Sequence, residues 1–195
     1  MKILIDEDTT QTRIAEMASE IDFYYYGKDW YRHIQEPIIV VGVLTGAIFF
    51  VADLVRQLSI RTELDFIRTS TYPITEPIND IGREDISEEI TVGLNSDIIA
   101  EPVSTINNSH VLIIDDILDS GSTYQAIRAY LFERGAKDIR LVTLLKKPGK
   151  APDNIKADFV GFDIEDKWVA GYGMDDRRGL GREIPYIFVD EGTGD

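Results

Sequence analysis

"VLIIDDILDSGSTYQ", residues 111–125, runs four apolar residues straight into two aspartates, then places two more apolar residues, a third aspartate and a cluster of small hydroxyl and glycine positions. Val111 to Ile114 is a short, β-branched apolar run, the composition of a strand buried on both faces. After the Ser-Gly-Ser-Thr cluster, Ala126, Ile127, Tyr130 and Leu131 share one side of a 3.6-residue period. That spacing predicts a helix over Ser122 to Arg134, with Gly135 as its left-handed stop. Strand, polar turn and helix make the repeating unit of a parallel sheet, and such sheets hold ligands beyond the carboxyl ends of their strands.

The same alternation extends outward along the chain. Ile38 to Leu44, residues 62–72, Ile139 to Leu145, "ADFVGFDI" and "PYIFVD" read as further strands, and Thr9 to Tyr26 and Ala47 to Leu58 as helices. The expected fold class is therefore α/β, a twisted and mainly parallel central sheet with helices on both faces. Thr45-Gly46, Asp115 to Thr123 and Lys146-Lys147 each follow a strand directly, so they converge on one sheet edge. Residues 73–108 break the pattern with Pro73, Pro77, Gly82, Pro102 and the acidic run "REDISEE", leaving one strand at Ile90 to Leu94. They read as an exposed excursion, a mobile lid or insertion.

Composition narrows the function. A chain of 195 residues that is 44% hydrophobic supports one domain with a real core. The absence of cysteine excludes disulfide scaffolds, thiolate metal sites and cysteine nucleophiles. The two histidines, His33 and His110, lack the spacing of a zinc site or a Ser-His-Asp triad. A net charge of −15 argues against nucleic acid as a partner, yet permits a small phosphate ligand held by backbone amides, local cations and a divalent metal. Glycines interrupt the longest apolar run and the N-terminus turns acidic at once, so no membrane association and a cytoplasmic location are expected.

Ser120, Gly121, Ser122 and Thr123 offer amides and hydroxyls around a helix start, a cradle for phosphate. Neither G-x-x-x-x-G-K nor G-x-G-x-x-G occurs, which excludes the common nucleotide loops. Adjacent aspartates at a strand exit suit the vicinal hydroxyls of a sugar or a hydrated Mg²⁺, and Asp119 sits where a general base would act. A solvated strand end and an ordinary helix cap would account for any one of these residues, but not for all of them together.

That stretch resembles the phosphoribosyl pyrophosphate motif of the type I phosphoribosyltransferases. "VGVLTGAIFFVADL" (41–54), "DFIRTSTY" (65–72), "LLKKP" (144–148) and "DFVGFDIEDKWVAGYGMD" (158–175) narrow the resemblance to the hypoxanthine-guanine phosphoribosyltransferases. The resemblance implies the type I phosphoribosyltransferase fold over residues 1–195, with a small hood subdomain from about 1–35 and 164–195. It implies transfer of a 5-phosphoribosyl group from phosphoribosyl pyrophosphate to N9 of hypoxanthine or guanine, with Mg²⁺ as cofactor. The partners implied are those two substrates and further copies of the chain, as a homodimer or homotetramer.

Position by position, the resemblance assigns Asp119 as the base for the purine N7 proton and Asp115 and Asp116 to the ribose hydroxyls. Ser120, Gly121, Ser122 and Thr123 take the 5′-phosphate, and Thr45, Gly46 and Arg182 the pyrophosphate. Lys147 meets the purine 6-oxo group, Trp168 stacks on the base and Val169 offers it backbone groups. Thr71 and Tyr72 form the lid dipeptide, and Asp175 contacts metal and pyrophosphate. This chain has Asp115 where the family usually has Glu, Thr45 where Lys or Arg is common, and Trp168 where Phe is more usual. Arg177 or Arg178 is the expected replacement for the charge lacking at Thr45. A xanthine-preferring enzyme and a non-catalytic sensor of phosphoribosyl pyrophosphate or nucleotides are the alternatives; retention of Asp119 and Lys147 argues against the sensor.

Overall fold

The computed structural model describes residues 2–34, 36–77 and 89–192. The chain runs β1 (Lys2–Ile5), α1 (Glu7–Tyr26), α2 (Asp29–Ile34), β2 (Ile38–Leu44), α3 (Ile48–Val55), β3 (Thr62–Pro77) and β4 (Glu89–Ala100). It continues through β5 (His110–Leu118), α4 (Ser122–Glu133), β6 (Asp138–Lys146), β7 (Phe159–Asp163), β8 (Val169–Ala170) and β9 (Ile187–Val189). Among the described residues the strands form a six-stranded sheet, ordered β4-β3-β2-β5-β6-β7, and a three-stranded sheet, ordered β1-β9-β8.

All neighbours in the large sheet are parallel except β3 and β4. Its two faces can be read from alternate residues. Ile38, Val40, Leu112, Ile114, Val142 and Leu144 join the core cluster that includes α1 and α3. Ile39, Val41, Val43, Val111, Ile113 and Leu141 join the opposite cluster with Ile127 and Leu131 of α4. Both sides of the central strands are thus covered by helices, which explains why β2 and β5 are nearly uninterrupted apolar runs. Local signals hold the helices in place. Asp6 caps α1 by accepting from the Thr9 amide at 2.7 Å, and Gly135 takes up φ 83° beyond α4.

Several elements depart from the sequence reading. The apolar "PYIFVD" does contain a strand, but β9 leaves the parallel sheet and pairs antiparallel with β1 and β8. A buried triplet reports burial and not partner, and β1 and the short α2 carry too little periodicity to be read at all. Of the expected excursion 73–108, positions 78–88 lie outside the described residues. The backbone on either side is regular: β3 and β4 pair from Arg68↔Ala100 to Pro77↔Glu89. β3 borders β2 only as far as Arg68, so Pro73 sits where one strand edge has no ladder to break.

At the amino edge of the large sheet, His110 is buried and its ring stacks on Trp30, 3.6 Å between centroids and 7° between planes. Neither ring nitrogen finds a hydrogen-bond partner among the described residues. Burial, aided by Lys137 and opposed by Asp138 and Glu36, holds the imidazole below its ordinary value of 6.5. A depressed histidine contributes stability above that ordinary value and loses it as pH falls towards the folded-state value. His110→Phe keeps a ring against Trp30 but removes the titration. The variant is expected to lose less stability than the parent between pH 7 and pH 5 in urea titrations; equal losses would contradict the assignment.

Candidate active site at the sheet edge

β5 carries the first part of the site. Asp115 and Asp116 lie in its last turn of pleat, opposite Thr143 of β6 at the Asp115 position. Together with Asp119, Ser120 to Thr123, Gly46 and Thr69 they line a cleft of about 660 Å³. The Asp116 amide donates to Asp115 Oδ1 at 3.0 Å, and the Ile117 amide to Asp116 Oδ1 at 2.7 Å. No ion pair to either carboxylate is found among the described residues. Burial, reinforced by the neighbouring Asp116 charge, pushes the Asp115 carboxyl well above the ordinary carboxylate range. Asp116 is raised as well, by burial.

Beyond the aspartates the chain turns through Ser120, whose hydroxyl lies 3.1 Å from that of Ser122, and enters α4 at Gly121 in a left-handed conformation. The helix start therefore faces the cleft, with the Ser122 amide donating to Ser120 Oγ at 3.4 Å. Gly46 closes the cleft from the β2 side. A Cβ there would overlap the Asp116 carboxylate, which would have to move to admit it. Behind Gly46 stands Gly173, at φ 100°, whose own Cβ would overlap the Gly46 carbonyl oxygen. Three layers of backbone and carboxylate are thus in contact because two side chains are missing.

A smaller cavity of about 160 Å³ adjoins the first and shares Asp116, Ile117 and Asp119 with it. Its other walls are Lys147, Trp168, Val169, Met174 and Asp175. Lys147, only 9% exposed, places Nζ 2.8 Å from Asp119 and 3.3 Å from Asp166, so two carboxylates offset the cost of its burial. Trp168 is half exposed, and its indole N–H donates to the Asp175 carbonyl at 3.3 Å. Asp175 pairs with Arg182 at 2.7 Å, and Arg182 also donates to the Gly173 carbonyl at 2.6 Å.

The structure thus brings Gly46, Asp115, Asp116, Asp119, Ser120 to Thr123, Lys147, Trp168, Val169 and Asp175 around two connected cavities. Thr45 is exposed and absent from both linings, and Arg182 stands behind Asp175. Arg178 is occupied by Asp176 at 2.9 Å, and Arg177 lies 5.7 Å from the Trp168 ring centre. Neither arginine lines the large cleft, so in this arrangement neither replaces the charge lacking at Thr45; Lys150 does line it. The side chains of Thr71 and Tyr72 lie outside the described residues. Sequence reading missed Thr69, Met174 and Lys150. Lys150 follows the lysine pair across a Pro-Gly turn, which was the available signal.

Among the described residues no cluster of three or more carboxylates or histidines forms a metal cage. A Mg²⁺ ion does not need one, because it keeps several waters and binds through one or two carboxylates plus substrate oxygens. The Asp115–Asp116 pair, the first buried, the second half-buried and both raised, is chemically suited to a diol or a cation.

A strand-end acid pair, a small-residue loop at a helix start and an adjoining ammonium-lined slot are the parts of a phosphoribosyltransferase, and residues 9–177 match the family described as phosphoribosyl transferase domain. The hypoxanthine-guanine phosphoribosyltransferase of Bacillus subtilis is 35% identical, over 96% of this chain and 92% of its own. A crystal structure of a hypoxanthine phosphoribosyltransferase from Staphylococcus aureus superposes with a TM-score of 0.77 at 32% identity, covering 97% of this chain and 90% of that one. The Trypanosoma cruzi hypoxanthine phosphoribosyltransferase in complex with the product IMP gives 0.76 at 28% identity, covering 97% and 93%. The chain belongs to the hypoxanthine-guanine phosphoribosyltransferase family.

The acid pair has a measurable cost. A carboxyl raised in the folded state favours folding in acid and withdraws that stability as pH rises through its folded-state value. Asp115→Asn keeps the acceptor for the Asp116 amide and removes one charge. At pH 7.5 without ligand it is expected to melt above the parent, by roughly 2–4 °C for each kcal/mol of burial and repulsion cost relieved. The gap should narrow as pH falls towards 5; an unchanged or lower melting temperature at pH 7.5 would contradict the reading.

Proposed function

We propose that this protein transfers the 5-phosphoribosyl group of phosphoribosyl pyrophosphate to N9 of hypoxanthine or guanine, releasing pyrophosphate and the nucleoside monophosphate in purine salvage. The observation that carries this reading is the Lys147–Asp119 pair, 2.8 Å apart where the two cavities meet. O6 and N7 are adjacent on one edge of a 6-oxopurine. A lysine ammonium only donates, so it suits the O6 acceptor and opposes the amino group of adenine. The carboxylate beside it suits the N7 proton that must leave as N9 becomes bonded to C1′.

In the proposed reaction the bond from C1′ to pyrophosphate breaks as the C1′–N9 bond forms, through a sugar with oxocarbenium character. Ser120 to Thr123 and the positive end of α4 hold the 5′-phosphate. Asp115 and Asp116 accept from the ribose 2′ and 3′ hydroxyls, which relieves the repulsion between them. The backbone at Thr45 and Gly46 receives the pyrophosphate, with Arg182 released from Asp175 to join it. Trp168 stacks on the base, and Val169 presents backbone groups to its edge. Asp175 and the acid pair are the carboxylates that would hold a Mg²⁺ ion, which would supply neutralising charge for the departing pyrophosphate. Asp119 takes the N7 proton. The protein works in the cytoplasm as a homodimer or homotetramer.

The test combines purified protein, Mg²⁺ and phosphoribosyl pyrophosphate with hypoxanthine, guanine, xanthine or adenine, and scores the nucleotide formed. Hypoxanthine and guanine should react and adenine should not. Asp119→Asn should lower turnover by about 10²- to 10⁴-fold while leaving phosphoribosyl pyrophosphate affinity near that of the parent. A parent that prefers adenine, or that forms no nucleotide, would overturn the proposal.

A further inference from the structure

The tight turn Gly171 to Met174 stands between the two halves of the site. It is closed by reciprocal hydrogen bonds, Gly171 N–H to the Met174 carbonyl at 2.9 Å and Met174 N–H to the Gly171 carbonyl at 3.1 Å. One side of it carries Met174 and Asp175 into the small cavity. Its other side presses Gly173 against the Gly46 carbonyl, and hence against the loop that closes the large cleft. At the apex is Tyr172, a non-glycine residue at φ 49°. Left-handed backbone at a bulky residue is costly and persists only where the surroundings hold it.

The Tyr172 side chain supplies that hold. The Tyr172 ring is buried, and its hydroxyl donates to Asp53 Oδ2 at 2.5 Å. The same oxygen accepts from Gln11 of α1 at 2.7 Å, and Arg56 pairs with the other. Burial alone would raise the Asp53 carboxyl, but the donors Tyr172, Gln11 and Arg56 outweigh it and bring it below the ordinary carboxylate value. Burial and the Asp53 charge raise Tyr172. At neutral pH the link is therefore a phenol donating to a carboxylate, the stronger, charge-assisted kind of hydrogen bond. Asp53 lies in α3, the helix that directly follows the Gly46 loop. Gly46 and Tyr172 are thereby fixed to the same rigid element, one through the chain and the other through a side-chain bond.

We propose that the Asp53–Tyr172 hydrogen bond is a positioning latch that sets the spacing between the pyrophosphate loop at Gly46 and the base slot at Met174 and Asp175. Neither residue lines either cavity, so both act through the turn. Reaction requires C1′ and N9 to meet at near-contact distance, and a displacement of about 1 Å costs about a hundredfold in rate. The latch serves the reaction proposed above and rests on that reading. Its loss should be felt with both substrates bound.

The test is a single-turnover measurement of nucleotide formation at saturating phosphoribosyl pyrophosphate and hypoxanthine, with melting temperatures alongside. Tyr172→Phe deletes only the hydroxyl, and Asp53→Ala deletes the acceptor. Each should slow the single-turnover rate about tenfold while the KM values move little, and the double variant should be no slower than the worse single. Asp53→Asn keeps an acceptor oxygen facing Tyr172, with its amide towards the exposed Arg56, and should stay near the parent rate even if it melts lower. Unchanged rates in Tyr172→Phe, additive losses in the double variant, or Asp53→Asn as slow as Asp53→Ala would each overturn the latch while leaving the reaction class intact. A parent with no turnover would overturn both.

Discussion

The site depends on a close approach that side chains would forbid. Asp116 at the end of β5, Gly46 beyond β2 and Gly173 in the turn before the last strand are stacked so tightly that a methyl group on either glycine would overlap its neighbour. That contact fixes the acid pair beside the smaller cavity, whose wall Asp116 also forms. The large sheet supplies the first layer, the loop into α3 the second, and the segment between β8 and β9 the third. Elements distant in sequence therefore meet at a spacing set by glycine backbone and one carboxylate.

Electrostatics follow from the same compression. Two carboxyls are held together at the strand end as weaker acids than usual, a fixed cost that a bound diol or cation would remove. Lys147 is buried only because Asp119 and Asp166 flank it. The charge of −15 is thus compatible with an anionic substrate. Amides and hydroxyls at the start of α4, with Lys150 on the cleft wall, define a local environment unlike the protein's mean field.

Much of this was legible in the chain because the local signals agree. The apolar runs of β2, β5 and β6, the left-handed stop at Gly135 and the small-residue loop at Ser120 to Thr123 each reflect a short-range requirement that sequence records directly. The second sheet was not legible, since β1, β8 and β9 are short and antiparallel pairing of the chain ends leaves no periodic trace. The pairing of β4 with β3 was visible only as one strand at residues 90–94, because prolines and charges there mask the regular backbone. Within the site, residue types could be read but partners could not. Arg182 reads as a pyrophosphate ligand and is found on Asp175, and Tyr172 reads as an ordinary aromatic until its bond to Asp53 is seen.

The most direct test of the account is the rate with which Gly46→Ala uses phosphoribosyl pyrophosphate. If the close stacking of the Asp116 carboxylate, Gly46 and Gly173 sets the site, one added methyl should lower kcat/KM for that substrate by about two orders of magnitude while far-ultraviolet circular dichroism keeps the parent's form. A Gly46→Ala protein with parent-like kcat/KM would contradict it, because the stack would then tolerate a side chain between Gly46 and Asp116.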